Sequence, residues 1–222
     1  MVTANPRSFS VDKELIEAYK KILAPSLGHF LDSGMDPAIR ALWNPVKLVG
    51  PALTVHTTPG STAALGKAVE IAQPGDVIVM SRGGEHRYAT TGDFAVLNFQ
   101  EKGIAGMVTD GLVTDQRAIE ELKFPVFCRG VSAIIAKRIT SDEGGVNVPV
   151  EVGGMTVNPG DLVVADEDGV IVASFEEARA QLGACLELEE WEEYARGQLD
   201  SGKRLSAVMQ ERQTYRQRVS VR

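Results

Sequence analysis

Two short polar stretches in this chain carry residue types that can bind an anion and a metal ion. Gly92-Asp93-Phe94-Ala95 opens an amphipathic segment, and Thr114-Asp115 follows an apolar run, with Asp110 on the other side of the same turn. Backbone N–H groups at the start of a helix attract carboxylates, and aspartate oxygens are ligands that Mg²⁺ prefers. On residue types alone, a first-turn Asp93 and a helix-capping Asp115 are commoner interpretations, so both readings stay open.

The remaining polar groupings favour structural roles. Asp166-Glu167-Asp168-Gly169 resembles the start of a calcium loop, but the apolar run after it supplies no later acidic ligand, so we predict a hairpin turn. The segment from Arg82 to His86 follows a predicted strand and either lines a pocket or simply connects two elements; it lacks the spacing of a phosphate loop. The three histidines stand in separate segments without zinc-binding spacing, and no GxSxG motif occurs.

Length and composition predict an ordinary globular protein. The 222 residues suffice for one domain with a full core, and 44% hydrophobic and 24% charged residues argue against disorder or a fibre. Thirty acidic and 23 basic residues give a net charge of −7, which argues against nucleic acid as the main partner. Basic residues are concentrated between Lys203 and Arg222, where a solvated helix end is favoured over an RNA or protein contact.

Cysteine usage and hydropathy predict a compartment. Cys128 and Cys185 lie in apolar surroundings without CxxC spacing, which is typical of buried thiols in a reducing environment. The first 21 residues contain no continuous apolar core of a signal peptide, and no uncharged run approaches the ~20 residues of a membrane span. We therefore expect a cytoplasmic protein with no membrane association.

Hydrophobic periodicity predicts an α/β fold. A helix over residues 11–23, stopped by Pro25, and a short helix from Ser26 to Leu31 precede a strand that starts at Lys47. Helices over 62–72, 92–102 and 115–122 then alternate with apolar strands over 77–80, 104–109 and 125–128. Such alternation favours helices layered on a largely parallel sheet.

The second half of the chain changes character. Residues 147–157 alternate around Gly153-Gly154, which indicates a hairpin, and strands are predicted over 162–165 and 170–173. From Phe175 the chain is helical and charged, with a break at Gly197 or Gly202. We predict that residues 1–174 form the α/β domain and that residues 175–222 form a C-terminal helical arm of the same domain.

Several segments together resemble the RraA-like family, which includes the regulator of ribonuclease activity A and the class II aldolases for 4-hydroxy-4-methyl-2-oxoglutarate and 4-carboxy-4-hydroxy-2-oxoadipate. The matching segments are 35–40, 48–55, 74–77, 92–115, 124–127 and 160–169, within residues 25–205. The resemblance implies an α/β fold of the swivelling β/β/α type as a single domain, and a trimer or hexamer with sites between subunits.

The family's aldolases carry an aspartate, twenty intervening residues, and then an Arg-Asp pair. Here the first aspartate is Asp93, residues 94–113 follow, and the pair becomes Thr114-Asp115. The resemblance implies that Asp115 binds Mg²⁺ or Mn²⁺, that the backbone of Gly92, Asp93, Phe94 and Ala95 holds the substrate, and that Asp93 helps to move protons. It further implies that Thr114 replaces the substrate-binding arginine and that Glu192 of a neighbouring subunit supports the metal's waters.

The resulting hypothesis is a divalent-metal-dependent lyase acting on a small 2-oxo acid. Retro-aldol cleavage to pyruvate and decarboxylation of oxaloacetate both leave a pyruvate enolate, so one site can serve both reactions. Arg82, Arg87 and Arg117 are the candidates to replace the missing arginine. The alternative is a binding protein without catalysis, like the family's ribonuclease regulators. The kept aspartate favours the lyase, and the absent arginine favours the alternative.

Overall fold

A computed structural model describes residues 1–58, 61–136 and 143–219, with side chains up to residue 212 in the last helix. The helices are α1 Lys13–Tyr19, α2 Ala24–Gly28, α3 Ala63–Ile71, α4 Asp93–Glu101, α5 Gln116–Glu121, α6 Phe175–Asp200 and α7 Leu205–Val219. The strands are β1 Thr3–Ala4, β2 Arg40–Ala41, β3 Leu48–Thr57, β4 Val77–Ser81, β5 Ala89–Thr91, β6 Gly106–Thr109, β7 Leu112–Val113, β8 Val126–Cys128, β9 Gly130–Val131, β10 Gly144–Val146, β11 Val150–Val152, β12 Met155–Val157, β13 Leu162–Asp166 and β14 Gly169–Ala173.

The main sheet is built on four parallel strands in the order β3-β4-β6-β8. The first half of β3 pairs antiparallel with β13, which continues into the β13-β14 hairpin, and the end of β3 pairs antiparallel with β10. Because the four parallel strands point the same way, the loops that follow β3, β4, β6 and β8 all leave from one edge. The predicted α/β fold with a largely parallel core is confirmed.

Both faces of the sheet are covered, which explains why its strands read as continuous apolar runs. One face packs against α3, α4 and α5 through residues such as Val55, Met80 and Phe99. The opposite face packs against the β11-β12 and β13-β14 hairpins through residues such as Val79, Val108 and Val163. Gly153 and Gly154 form the β11-β12 turn with positive φ values of 59° and 77°, as the hairpin prediction required.

The N-terminal helices differ from the prediction. α1 begins at Lys13 after an Asp12 cap and ends at Tyr19, and Pro25 lies inside the first turn of α2 instead of ending the preceding helix. A proline in the first helical turn loses no hydrogen bond there, because its missing N–H would have had no partner. The prediction that Pro25 stops the first helix was therefore wrong.

The C-terminal segment packs on these N-terminal helices. α6 starts with a capping box between Ser174 and Glu177, and its residues Ala178 and Cys185 are buried against α1 and α2. α6 runs through Gly197, and the chain breaks at Gly202, where φ is 92°. Of the two predicted break points, Gly202 is the one observed; the division of the chain at residue 174 stays a prediction.

Of the two small sheets, the β11-β12 hairpin was predicted, and the parallel sheet β5-β7-β9, whose strands are two or three residues long, was not. Strands this short contain too few residues to show a period-two pattern. None of the helices in the described part of the chain has the length and apolar character needed to cross a bilayer.

Gly106 and Gly66 allow a direct test of the packing. A Cβ at Gly106 would lie 2.5 Å from Leu48 Cδ1 and 2.9 Å from the Pro125 carbonyl oxygen, whereas a Cβ at Gly66 in α3 meets nothing within 4 Å. We expect Gly106→Ala to lower the free energy of unfolding by about 1–3 kcal/mol through overpacking. Gly66→Ala should instead raise it by about 0.5–1 kcal/mol. Urea unfolding measures both, and equal stability changes of the same sign would contradict this packing.

Candidate functional site

The two predicted site segments meet where the small β5-β7-β9 sheet ends. β5 ends at Thr91 and leads directly into Gly92 and α4, and β7 ends at Val113 and leads into Thr114. The strands pair in parallel, and the Thr114 N–H donates to the Thr91 carbonyl oxygen at 2.9 Å. This pairing places residues that are far apart in sequence side by side.

The Asp115 carboxylate lies against the Cα of Gly92. A Cβ at residue 92 would be 2.3 Å from Asp115 Oδ2 and 3.0 Å from Thr114 Cγ2, so a side chain there would collide with both residues. The φ of Gly92 is −131°, which any residue can adopt, and the glycine is therefore required by space alone. The Asp93 N–H points at Asp115 Oδ2 over 3.4 Å. The aspartate thus faces the start of α4.

Asp115 does not cap the helix that follows it. It occupies the cap position of α5, but its side chain makes no capping hydrogen bond, and its backbone is left-handed with φ 57° and ψ 37°. A non-glycine residue in this region costs about 1–3 kcal/mol and tends to occur at functional sites. The exposed carboxylate is directed toward the start of α4. The helix-cap interpretation of Asp115 is therefore wrong.

The first turn of α4 presents backbone N–H groups beside this carboxylate. The Asp93 carboxylate folds back and accepts from the Phe94 N–H at 2.8 Å. An external carboxylate that used the Phe94 N–H would have to displace that contact. Phe94 itself is 82% exposed, and Ala95 is half-buried. The segment from Gly92 to Ala95 is therefore accessible, as a binding site requires.

Within the described residues, none of the three candidate arginines forms a hydrogen bond with Thr114. Arg82 is fully buried, and its guanidinium donates to Thr57 Oγ1, the Ser61 carbonyl oxygen and Glu85. Arg87 is exposed and lies over the Tyr88 ring, 5.4 Å from its centroid, and Arg117 is exposed on α5. Thr114 is half-buried, and its hydroxyl lies 3.4 Å from Asp115 Oδ1. The Arg82 guanidinium therefore does not replace the missing arginine at Thr114.

Asp110 is held away from solvent by a contact that the sequence did not indicate. Its Oδ1 accepts from the Arg82 backbone N–H at 2.6 Å. Burial raises the pKa of the Asp110 carboxyl, while the Arg82 N–H and the positive charge of Arg129 act in the opposite direction. The only sequence signal for this contact is Gly111, since a Cβ there would be 2.5 Å from Arg82 Cγ.

Glu192 lies on α6, in a separate part of the chain. Its carboxylate pairs with Arg196 at 3.0 Å, on a shallow groove formed with α2 and α7. In the part of the chain that the structure describes, Glu192 forms no hydrogen bond or ion pair with Asp93 or Asp115. The role implied for Glu192 therefore depends on a second copy of the chain and stays a prediction.

The oxygen donors of this site suit a hard divalent cation. Across residues 1–58, 61–136 and 143–219, no group of three or more His, Cys, Asp and Glu side chains could hold a metal ion. The site offers the Asp115 carboxylate, with the Asp93 carboxylate and the Thr114 hydroxyl nearby in the same two turns. Mg²⁺ is bound by one or two carboxylates while it keeps several waters, so the few donors present fit such an ion.

Comparison with known proteins gives one family. The family model described as Aldolase/RraA matches residues 15–172. A protein of Halalkalibacterium halodurans named "Putative 4-hydroxy-4-methyl-2-oxoglutarate aldolase" is 38% identical over 161 residues, which are 72% of this chain and 76% of that protein. The match includes both segments of the site described above.

Solved structures agree with this result. The Streptomyces coelicolor protein RraAS2, described as an unusual member of the RNase ES inhibitor RraA protein family, superposes with a TM-score of 0.74 at 32% identity, covering 85% of this chain and 98% of that one. An uncharacterised Pseudomonas syringae protein gives a TM-score of 0.79 at 25% identity, with 93% and 97% covered. The chain therefore belongs to the RraA-like family, whose fold it shares, and its aldolase-named relatives support a lyase activity within that family.

Proposed function

We propose that this protein is a divalent-metal-dependent lyase that acts on a small 2-oxo acid, by retro-aldol cleavage to pyruvate, by decarboxylation of oxaloacetate-type substrates, or by both. The observation that carries the proposal is the position of the Asp115 carboxylate, which lies against Gly92 at the start of α4 in a strained backbone conformation. Capping of α5 does not account for this position, which supports a role for Asp115 in holding a cation beside the start of α4.

The backbone at the start of α4 would bind the substrate. The N–H groups of Asp93, Phe94 and Ala95 precede the first intrahelical bond of α4, from Val96 to Gly92, and carry the positive end of the helix dipole. A 2-oxo acid could present its carboxylate to these groups once the Asp93 side chain leaves the Phe94 N–H. Freed from that contact, the Asp93 carboxylate would be available to accept or donate the proton that the reaction moves.

Asp115 would hold Mg²⁺ or Mn²⁺ next to the bound substrate. When bound, the cation supplies Lewis-acid stabilisation of the negative charge that develops on the substrate's keto oxygen. Asp115 would fix the position of the cation, because the backbone of Asp115 is held between β7 and α5. Thr114 offers a hydroxyl donor where the family's aldolases have an arginine, and the loss of such a charged donor costs about 2–4 kcal/mol of transition-state stabilisation.

An assembly of three or six copies would complete the site. Phe94 and Leu97 are exposed on α4 beside the site, Val131 is exposed in β9, and Ile134 and Ile135 are exposed after it. Contiguous exposed apolar patches mark contact surfaces for other proteins. We propose that these groups contact a second copy and that this contact brings in Glu192 of the partner subunit.

The alternative function is regulation of a ribonuclease without catalysis. Thr114 in place of the arginine favours it, and so does the likeness to RraAS2, a member of a family of RNase inhibitors. Addition of the protein to an RNase E-type enzyme, with cleavage of a labelled RNA as the readout, tests this alternative. Inhibition together with no pyruvate release would replace the lyase proposal.

Removal of the Asp115 carboxylate should abolish the reaction. We expect metal-dependent pyruvate release from oxaloacetate or 4-hydroxy-4-methyl-2-oxoglutarate to fall by at least about 100-fold in Asp115→Ala, because even the loss of groups that only support a metal ligand costs up to this factor. Asp168→Ala removes another exposed aspartate, from the β13-β14 turn, and serves as the control. Pyruvate release that survives chelation or the Asp115 change would contradict the proposed metal site.

Restoration of the arginine should accelerate the family reaction. Thr114→Arg is expected to raise kcat/KM on 4-hydroxy-4-methyl-2-oxoglutarate by roughly 30- to 1000-fold, the factor that corresponds to about 2–4 kcal/mol. Thr114→Met adds comparable length without charge and should give no gain. Activity in Thr114→Arg with none in the wild type would mean that the native substrate differs from the family's usual ones.

Mixed oligomers test whether the site lies between subunits. Co-expression of Asp115→Ala with Glu192→Gln should restore about a quarter of wild-type activity, because random assortment leaves one interface in four with both residues intact. Asp115→Ala with Asp93→Ala should restore none, since both residues belong to the same side of the proposed site. Full activity of Glu192→Gln on its own would show that Glu192 has no part in the reaction.

A further inference from the structure

A buried arginine lies where the strands that lead to the site leave the main sheet. Arg82 follows β4 directly, is 0% exposed and is the largest fully buried side chain described. Its guanidinium donates to Thr57 Oγ1 at the end of β3 at 2.8 Å and to Glu85 Oε2 at 3.2 Å. A buried charge of this kind persists only when it is paired and hydrogen-bonded, so its partners are held in fixed places.

One line of contacts leads from Arg82 to the proposed metal aspartate. The Arg82 backbone N–H donates to Asp110 Oδ1 at 2.6 Å, and the next residue, Gly111, packs on Arg82 Cγ so closely that no Cβ fits. β7 follows at once, and then Thr114 and Asp115. Arg82 therefore fixes the point at which the segment carrying Asp115 departs from β6.

A second set of contacts connects Arg82 to the turn at the start of α4, residues 92–95, which we propose binds the substrate carboxylate. The Glu85 carboxylate accepts from the Arg87 N–H at 2.6 Å and from the Tyr88 N–H at 3.1 Å, as well as from Arg82. Tyr88 is followed by β5 and then by Gly92. Burial acts to raise the pKa of the Glu85 carboxyl, but these two N–H groups and the Arg82 guanidinium outweigh it and hold the pKa below its usual value.

We propose that Arg82, with Glu85 and Asp110, is the positioning device that sets the distance between Gly92 and Asp115. It contacts neither substrate nor metal in this role. Glu85 pairs with the Arg82 guanidinium, Asp110 accepts from the Arg82 backbone N–H, and Gly111 packs on the Arg82 side chain. Each of the two segments then reaches the site through a strand of only two or three residues. The inference deepens the proposed function and rests on the proposed metal site at Asp115.

A matched ion pair at the other end of β4 separates positioning from general stabilisation. Asp76 is 1% exposed, precedes β4 directly and pairs with Arg7 at 2.8 Å. Asp76→Asn and Glu85→Gln each convert a carboxylate of an ion pair at an end of β4 into an amide. Of the two carboxylates, only Glu85 bonds to a residue next to a site segment, namely Tyr88, which precedes β5. Arg82→Lys keeps a positive charge but cannot reproduce the forked contacts, and it provides a second variant.

The first measurement is amide hydrogen exchange on metal-free protein, which needs no activity. In Glu85→Gln and Arg82→Lys, we expect exchange at residues 89–93 and 112–116 to be at least about tenfold faster than in the wild type, with β6 unchanged. Asp76→Asn should leave those two segments unchanged. Equal exchange in the site segments of Glu85→Gln and the wild type would overturn the proposal.

The second measurement is Mn²⁺ affinity by titration calorimetry. We expect a Kd about tenfold weaker in Glu85→Gln, as is typical when a group that orients a metal ligand is lost, and a Kd within twofold of the wild type in Asp76→Asn. Wild-type protein that binds no Mn²⁺ would refute the proposed function while the exchange result still decides the positioning role. Mn²⁺ affinity that is unchanged in Glu85→Gln but lost in Asp115→Ala would overturn the positioning role alone.

Discussion

The buried charge of Arg82 is the constraint around which the carboxyl edge of the sheet is organised. A guanidinium with no exposure to water needs a counter-charge and hydrogen-bond acceptors from every direction it faces. Thr57, Ser61 and Glu85 accept from the two terminal nitrogens, the Nε has no partner within the described residues, and Asp110 accepts from the backbone N–H of the same residue. These partners come from the segments at the ends of β3, β4 and β6, so the side chain and the backbone N–H of one residue together contact three loops.

The site itself depends on contacts of a different kind. At Gly92 the absence of a side chain lets the Asp115 carboxylate approach the start of α4, and at Asp115 a left-handed backbone turns that carboxylate away from its own helix. Both features cost stability locally, one through glycine's flexibility and the other through strain. In our proposal, the contacts of Arg82 at the carboxyl edge of the main sheet hold Gly92 and Asp115 in place.

Membership of the RraA-like family supports a lyase, and Thr114 marks the point where this chain departs from the aldolase motif. The same fold occurs in a protein described within the RNase inhibitor group, so the fold by itself does not select between catalysis and regulation. In this chain the distinction rests on the site: the Asp115 carboxylate faces the start of α4 and does not cap its own helix, which supports a binding role.

The sequence by itself determined the fold class, the order of the main helices and strands, and the candidate residues. Apolar strands alternating with amphipathic helices left few alternatives to a covered parallel sheet, and the spacing of Asp93 and Asp115 carried the family motif. The helix starting near Pro25 was misread because local rules do not distinguish a proline that ends a helix from one in its first turn. Only the tertiary structure decided that β5 and β7 pair, that Asp115 faces α4 and not α5, and that Arg82 holds Asp110 and Glu85. Apart from the local Arg82–Glu85 pair, these contacts join residues 22 to 28 positions apart, and strands as short as β5 and β7 leave no sequence pattern, so local features of the sequence do not encode them.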